Sequence, residues 1–193
     1  MKTAAIVLAA GKSSRMGSNK LLLPLGGKPI IEIILDNLSK YSTIVVTGHR
    51  REDIEGLVRL RGLRTVYNSY YEQGMTTSFQ TGLRNIDDVD AVFMVLSDTF
   101  GFKPSLLDEM VNKMESTGAL LVSPVYEGKR GHPILVSNEL FPEFLNMGEN
   151  ETMKNVIQRH EDRHEYVEGD IWTRIDLDTP EDYEKVKKLW ASS

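Results

Sequence analysis

Short apolar runs alternate with helical patterns along the whole chain, and this alternation constrains the fold more than any other feature. Five apolar runs bounded by turn residues are predicted strands: Ala4–Leu8, Thr43–Thr47, Arg64–Tyr67, Ala91–Leu96 and Ala119–Pro124. Five helices are predicted between and after them: Pro29–Ser39, Arg51–Leu60, Met75–Arg84, Pro104–Met114 and Pro180–Trp190. Strand-helix alternation predicts a mainly parallel sheet with helices on both faces. We therefore predict a single domain over residues 1–193, an α/β/α sandwich of three layers with a Rossmann-like sheet.

Composition narrows the classes of protein that the chain can represent. The net charge of -5 argues against a nucleic-acid binder with a broad basic surface. The chain has no cysteine, which excludes disulfides, zinc-thiolate sites and thiol nucleophiles. The apolar start, MKTAAIVLAAGKSS, lacks a clean cleavage site and is predicted to be a buried strand. Since no apolar stretch approaches the roughly 20 residues that span a bilayer, we expect a cytoplasmic protein without a membrane partner.

The loop after the first strand combines small residues with cations. In a parallel sheet, ligands bind beyond the carboxyl ends of the strands, so this loop and the one after Leu96 are the places for chemistry. Gly11 allows close approach of a ligand to the backbone, and Lys12, Arg15 and Lys20 can offset phosphate charge. Neither a P-loop nor a GxGxxG motif fits the string. A solvated loop with scattered charges is the alternative.

The full string LAAGKSSRMGSNKLLLPLGGKPI, residues 8–30, resembles the signature of nucleotidylyltransferases with the molybdenum-cofactor guanylyl/cytidylyltransferase type of fold, which is related to the nucleotide-diphospho-sugar transferases. The resemblance implies that Arg15 and Lys20 bind a triphosphate and stabilise charge as its α-phosphorus is attacked, which makes them the catalytic residues. It also implies a nucleotide-binding loop made of Leu8, Ala9, Ala10, Gly11, Lys12 and Ser13.

A second element, GMTTSFQTGL, begins at Gly74 and resembles the GM-x-x-S-x-x-x-GL segment of the same family. The resemblance implies that Gly74 and Ser78 line the nucleotide pocket. The alternative is a plain helix start with Gly82 as a close-packing glycine.

Two aspartates are candidate magnesium ligands. Asp98 follows the predicted strand Ala91–Leu96, where similar family members place a metal-binding aspartate followed by a residue and then proline. This chain has Phe100 instead of that proline, which predicts a changed acceptor side. Asp178 lies in DLDTPED, which resembles the family's D-x-DTPED element, and would supply a second carboxylate to Mg²⁺. Capping of the next turn by Asp98, or of the last helix by Asp178 or Thr179, is the alternative.

The stretch Val125–Val136 departs from simple alternation and is predicted to be a turn followed by a strand. Within it, GKRGHP resembles the family's G-x-x-GHP element, which faces the acceptor and implies acceptor contacts by Gly131, His132 and Pro133. A tight turn with a hydrogen-bonded histidine is the competing interpretation.

Two other motifs are predicted to lie outside the functional site. HEDRH, from His160 to His164, fits the HExxH zinc-protease pattern, but it is highly charged and leads into a predicted strand. Asp88 and Asp90 form a D-x-D that precedes a strand, on the wrong side of the sheet, and are predicted to be surface residues.

Together the resemblances imply a Mg²⁺-dependent enzyme that transfers a nucleoside monophosphate to a phosphorylated acceptor. LAAG without an aspartate before Lys20 looks like the cytidylyl version, which favours CTP and a molybdopterin acceptor. A molybdoenzyme or maturation protein is the implied protein partner. A sugar-1-phosphate or other alcohol-phosphate nucleotidylyltransferase and a non-catalytic nucleotide-binding chaperone are alternatives. A D-x-D glycosyltransferase is disfavoured because it would lack the N-terminal loop.

Overall fold

The computed structural model describes residues 1–148 and 150–193. Its strands are β1 (Thr3–Ala9), β2 (Pro24–Leu25), β3 (Lys28–Pro29), β4 (Ser42–Thr47), β5 (Arg64–Tyr67), β6 (Ala91–Leu96), β7 (Leu121–Tyr126), β8 (Lys129–Arg130), β9 (Ile134–Ser137) and β10 (His164–Glu168). Its helices are α1 (Ile30–Asn37), α2 (Glu52–Leu60), α3 (Met75–Leu83), α4 (Pro104–Thr117), α5 (Phe141–Leu145), α6 (Met153–Arg159) and α7 (Pro180–Ala191).

The main sheet has the strand order β10-β7-β9-β6-β1-β4-β5, with β8 paired to β7. β1 runs parallel to β4 and β6, β4 runs parallel to β5, and β10 runs parallel to β7. Within the described part of this sheet, only β9, which is antiparallel to both β6 and β7, and the short β8 reverse the direction. The carboxyl ends of β1, β4, β5, β6, β7 and β10 therefore meet at one edge of the sheet, which we call the carboxyl edge.

Side chains alternate across β1 and divide the core into two layers. Ala5 and Val7 belong to the layer beneath α1, α2, α4 and α7, whereas Ile6 and Leu8 belong to the layer beneath α3, α5 and α6. All four are buried, as expected for a central strand covered on both faces. The predicted three-layer α/β/α sandwich is confirmed.

Four of the predicted strands agree with the structure to within a residue at each end, and β7 begins two residues later than predicted. The turn and strand expected within Val125–Val136 are present as β8 and β9. The helices α5 and α6 were not predicted, since each is short and their sequence lacks a long apolar period. Among the described residues, no helix combines the length and apolar character that crossing a membrane requires.

Candidate active site

A cleft of about 290 Å³ opens at the carboxyl edge, beyond the ends of β1 and β6. Its walls are formed by Leu8, Ala10, Gly11, Tyr71, Gly74, Met75, Ser78, Leu96, Ser97 and Asp98. The structure thus brings together six residues that the sequence singled out from three separate segments: Leu8, Ala10, Gly11, Gly74, Ser78 and Asp98. Ala9 does not line the cleft, because its side chain packs in the core layer that includes α1.

Close backbone packing shapes the side of this cleft that is formed by β1 and α3. A Cβ atom on Gly82 would lie 2.4 Å from Cγ2 of Ile6, so α3 rests directly on β1. Gly74 precedes α3 with a φ of 105°, a conformation that disfavours a side chain. The two interpretations of the GMTTSFQTGL segment are therefore compatible: Gly82 is a close-packing glycine, while Gly74 and Ser78 line the cleft.

A smaller hollow of about 160 Å³ adjoins the cleft and contains both predicted catalytic cations. Arg15 donates from Nη2 to Oδ2 of Asp178 over 2.6 Å. Lys20 Nζ lies 3.3 Å from Oδ1 of Asp178 and 3.7 Å from Oδ2 of Asp98. Lys20 is the more enclosed cation, with a side chain 12% exposed against 71% for Arg15. Ser13 also lines the hollow, and its Oγ accepts from the Lys20 backbone N–H over 3.4 Å.

Lys12 lies outside both of these spaces. It lines a neighbouring hollow of about 180 Å³ beside His49 and Arg50. Its Nζ donates to Oε1 of Glu72 over 2.6 Å, and this hydrogen bond raises the pKa of Lys12. Lys12 therefore bridges the N-terminal loop to the segment that leads into α3.

Three carboxylates converge beside Lys20. One oxygen from each of Asp98, Asp176 and Asp178 lies within 4.8 Å of the others. Carboxylate oxygens grouped in this way suit a hard divalent cation such as Mg²⁺ or Mn²⁺. Asp176 was not predicted as a ligand, although the D-x-D spacing carried a signal, since residues two apart in an extended segment project to the same side.

Helix capping does not occupy Asp178. The start of α7 has a capping box in which Oγ1 of Thr179 accepts from the Asp182 N–H and Oδ2 of Asp182 accepts from the Thr179 N–H. Asp182 also accepts from the backbone N–H of Asp178 over 3.1 Å. The capping alternative therefore applies to Thr179 and leaves the Asp178 carboxylate facing the cations.

The GHP segment lies at the same edge but does not line the 290 Å³ cleft. β9 begins at Ile134, which pairs with Met94 of β6, so Gly131, His132 and Pro133 lie beside the end of β6. The His132 N–H donates to the carbonyl of Thr173 over 2.8 Å. Burial lowers the pKa of His132 to about 4, which keeps the imidazole neutral at neutral pH. Its Nδ1 is buried without a hydrogen-bond partner among the described residues.

Buried aromatic side chains pack next to the Gly131–Pro133 segment. Phe100, the residue in place of the family proline, is fully buried, with its ring centroid 5.9 Å from that of Trp172. Trp172 belongs to a 3-10 helix at Ile171–Thr173, and a Cβ on Gly131 would lie 2.3 Å from the Thr173 carbonyl oxygen. Phe100 is therefore a core residue that packs against Trp172 and does not line the 290 Å³ cleft.

HEDRH and the D-x-D of Asp88 and Asp90, the two motifs predicted to lie outside the functional site, lie away from the cleft. His160 ends α6 and bonds to Glu143, whereas His164 begins β10 and its Nε2 lies 2.8 Å from Oγ of buried Ser123. The HEDRH segment is not one continuous α-helix, so it cannot present its histidines as a zinc-protease motif does. Asp88 and Asp90 bond to Lys2 at the opposite edge of the sheet, as expected for surface residues.

Comparison with known proteins identifies relatives of the whole fold. The model of the MobA-like NTP transferase domain family matches residues 5–164. The molybdenum cofactor cytidylyltransferase of Escherichia coli (strain K12) is 28% identical over 192 residues, covering 96% of this chain and 96% of that protein.

Solved structures agree with this architecture. Rv0371c from Mycobacterium tuberculosis H37Rv has a TM-score of 0.84 at 21% identity, over 97% of this chain and 98% of that chain. A complex of the same protein with manganese has a TM-score of 0.79 at 20% identity, over 97% and 99% of the two chains. At these identities the structural likeness shows a shared fold.

Proposed function

This chain belongs to the MobA-like NTP transferase family and is a nucleotidyltransferase, and we propose that it transfers CMP from CTP to molybdopterin, with Mg²⁺ as cofactor and release of pyrophosphate. The observation that carries the proposal is the meeting of a nucleotide-sized cleft, two cations and three carboxylates at one edge of the sheet. The residues of this edge are drawn from segments between Leu8 and Asp178, so we treat residues 1–193 as one functional domain.

The nucleotide is assigned to the cleft walled by Leu8, Ala10, Gly11, Gly74 and Ser78. Small residues along the β1 loop leave room for a base and ribose close to the backbone. Lys12 and Ser13 extend this loop toward the phosphates. The cytidylyltransferase activity named for the Escherichia coli relative supports CTP as the donor.

The reaction is an in-line displacement at the α-phosphorus of the nucleotide. An oxygen of the acceptor's phosphate forms a bond to that phosphorus, and the bond to the β-phosphate oxygen breaks, so that pyrophosphate leaves. The acceptor phosphate is already ionised at neutral pH, so its attack requires no general base. Positioning and charge neutralisation then supply most of the rate enhancement.

Arg15 and Lys20 are assigned to the triphosphate, where they offset charge that develops in the transition state. In the free protein both cations bond to Asp178, so binding of the triphosphate would exchange these ion pairs for phosphate contacts. Asp98, Asp176 and Asp178 would hold Mg²⁺, which neutralises phosphate charge when it is bound. A manganese complex of a protein with the same fold supports a divalent metal.

The acceptor is assigned to the region next to the cleft where Gly131, His132 and Pro133 lie. This segment lies beside the end of β6 and bonds to Thr173, close in sequence to Asp176 and Asp178. His132 is neutral at neutral pH and is suited to bind the acceptor through a hydrogen bond rather than through charge.

Pyrophosphate release tests the proposal. CTP, GTP, ATP and UTP are each presented with Mg²⁺ and either molybdopterin or a panel of sugar phosphates. Release with CTP and the pterin alone is the expected result. Release with a sugar phosphate would retain the reaction type and replace the acceptor, whereas nucleotide binding without release under any condition would favour a binding module.

A further inference from the structure

Asn68 is a buried amide directly behind the nucleotide side of the cleft, and the sequence motifs did not identify it. It follows the last residue of β5 and is only 1% exposed. Its backbone N–H donates to the Thr47 carbonyl over 2.8 Å, which continues the pairing of β5 with β4. The side chain is thus held in place by the sheet and bonds to the segment that begins α3.

The orientation of the Asn68 amide is determined by its partners. Oδ1 accepts from the backbone N–H of Tyr70 over 3.0 Å, and an N–H can only donate. The Nδ2 group must therefore face the other partners, Oγ1 of Thr77 at 2.9 Å and Oγ of Ser78 at 3.0 Å. Asn68 donates one hydrogen to each hydroxyl.

The two hydroxyls differ in what they do with their own hydrogen. Thr77 Oγ1 lies 3.0 Å from the Tyr70 carbonyl and 2.9 Å from the Gly74 carbonyl, so its O–H has an acceptor within the protein. Ser78 Oγ is acceptor to Asn68, and its O–H has no acceptor within the described part of the chain. Ser78 also lines the cleft. Its hydrogen is therefore available to an acceptor atom on a ligand.

We propose that Asn68 is a positioning residue that fixes the Ser78 hydroxyl as a hydrogen-bond donor toward the cleft and so favours nucleobases that present an acceptor there. The inference rests on the proposed function, which places the base in this cleft. The pairing edge of cytosine presents a ring nitrogen acceptor and a carbonyl, whereas uracil presents an N–H at the same ring position. A fixed donor at Ser78 therefore favours CTP over UTP.

Substitution by aspartate reverses the direction of this hydrogen bond without changing the shape of the side chain. In Asn68→Asp one carboxylate oxygen keeps the Tyr70 N–H, and the other accepts the O–H of Ser78. Ser78 then offers only lone pairs to the cleft. We expect the affinity for CTP to fall about tenfold and the preference for CTP over UTP to shrink by at least about fivefold, because one neutral hydrogen bond to the base is lost.

Calorimetric titration of the full chain with CTP and with UTP provides the test, since binding needs neither turnover nor an acceptor. Ser78→Ala should lose the same preference, and Asn68→Asp should have no further effect in that background. Asn85→Asp adds the same charge at the far end of α3 and should leave both affinities unchanged. If Asn68→Asp does not fold, Asn68→Ala decides, because release of the Ser78 hydroxyl should also reduce the preference.

The two proposals fail in different ways. If the wild-type chain binds neither CTP nor UTP, the proposed function is wrong and the role of Asn68 is overturned with it. If the wild-type chain prefers CTP and folded Asn68 variants keep that preference, only the positioning role is overturned. Loss of preference in both Asn68→Asp and Ser78→Ala, without additivity, establishes it.

Discussion

The site at the carboxyl edge has two sides built from different interactions, which we call the nucleotide wall and the acceptor wall after their proposed ligands. The nucleotide wall, formed by the end of β1 and the segment from Tyr71 to Ser78, is lined by small or uncharged side chains, and Asn68 bonds to Ser78 from behind it. The acceptor wall, formed by the end of β6, the start of β9 and residues 171–178, carries three carboxylates and His132 over a layer of buried aromatic rings.

This difference indicates which parts of the site must change when ligands bind. The nucleotide wall is already packed, with α3 resting on β1 at Gly82 and the Asn68 amide fully bonded. On the acceptor wall, Asp178 is neutralised by Arg15 and Lys20. The proposed function requires that these ion pairs be exchanged when a triphosphate and a metal bind. We therefore expect substitutions in the first wall to act on nucleotide binding and stability, and substitutions of the carboxylates in the second to act on the rate.

The largest effect should come from the acceptor wall. Asp98→Ala removes a carboxylate that lies with Asp176 and Asp178 in the candidate metal site. We expect kcat to fall at least about a hundredfold, because several kcal/mol of transition-state stabilisation are lost. Steady-state pyrophosphate release measures the change. Asp88→Ala, at the opposite edge of the sheet, is the matched control, and equal activity in the two variants would contradict the metal assignment.

Substitution in the nucleotide wall should mainly change the free energy of unfolding. Gly82→Val forces a side chain against Ile6, where even a Cβ would lie 2.4 Å from Cγ2. We expect the free energy of unfolding to fall by about 2 kcal/mol, as for other overpacked cores, and the KM for CTP to rise as α3 shifts. Gly56→Ala in α2, where nothing lies within 4 Å, should instead increase stability by up to about 1 kcal/mol. Chemical denaturation distinguishes the two, and an unchanged Gly82→Val would refute direct packing of α3 on β1.

The acceptor wall should also be sensitive to acid. Because burial lowers the pKa of His132 to about 4 in the folded protein, the unfolded chain binds a proton first as the pH falls. The stability that His132 contributes is therefore present above its ordinary pKa of about 6.5 and is lost between about pH 6.5 and pH 4. His132→Gln should flatten this part of the curve of unfolding free energy against pH and raise the KM for the acceptor.

His164 allows the two effects of His132 to be separated. Burial also lowers its pKa to about 4, but it lies at the opposite edge of the sheet, where it pairs with Leu121. His164→Gln should flatten the same pH range and leave the KM for the acceptor unchanged. A rise in that KM for both variants would show that His132 acts through stability alone.

The smallest effect concerns the cations at the junction of the two walls. Lys20 pairs with Asp98 and Asp178 in the structure, so under the proposed function we expect it to compete with a metal for these carboxylates. Lys20→Gln should therefore tighten binding of Mn²⁺ to the free protein by about two- to fivefold, the range expected for loss of a partly exposed ion pair, while it lowers the rate. Electron paramagnetic resonance of free Mn²⁺ measures the affinity. Asp178→Asn, which removes a carboxylate, should instead weaken Mn²⁺ binding. Weaker Mn²⁺ binding by Lys20→Gln would contradict this competition.

Local sequence patterns are sufficient to place several residues at the cleft, for a physical reason. Leu8, Gly11, Gly74 and Ser78 lie in continuous motifs next to a strand or helix end, so their positions follow from local structure. Asn68 carries no motif, and its importance depends on hydrogen bonds to residues nine and ten positions away.

The acceptor wall depends on contacts between distant segments. The carboxylate of Asp176 reaches Asp98 only because β6 and the segment before α7 converge at one edge. The burial of Phe100 follows from its packing against Trp172, which no local pattern reveals. The likeness of Asp98 and Asp178 to a known family indicated the candidate metal site, and only the fold showed that a third carboxylate lies beside them.

Transfer of label from CTP carrying ³²P at the α-phosphorus is the most direct test of the central claim. Wild-type protein, Mg²⁺ and molybdopterin should yield a labelled pterin dinucleotide and unlabelled pyrophosphate in equal amounts, and Asp98→Ala should yield at least about a hundredfold less of both. Label that remains in CTP, or that appears as free CMP with no pterin product, would contradict the proposed transfer.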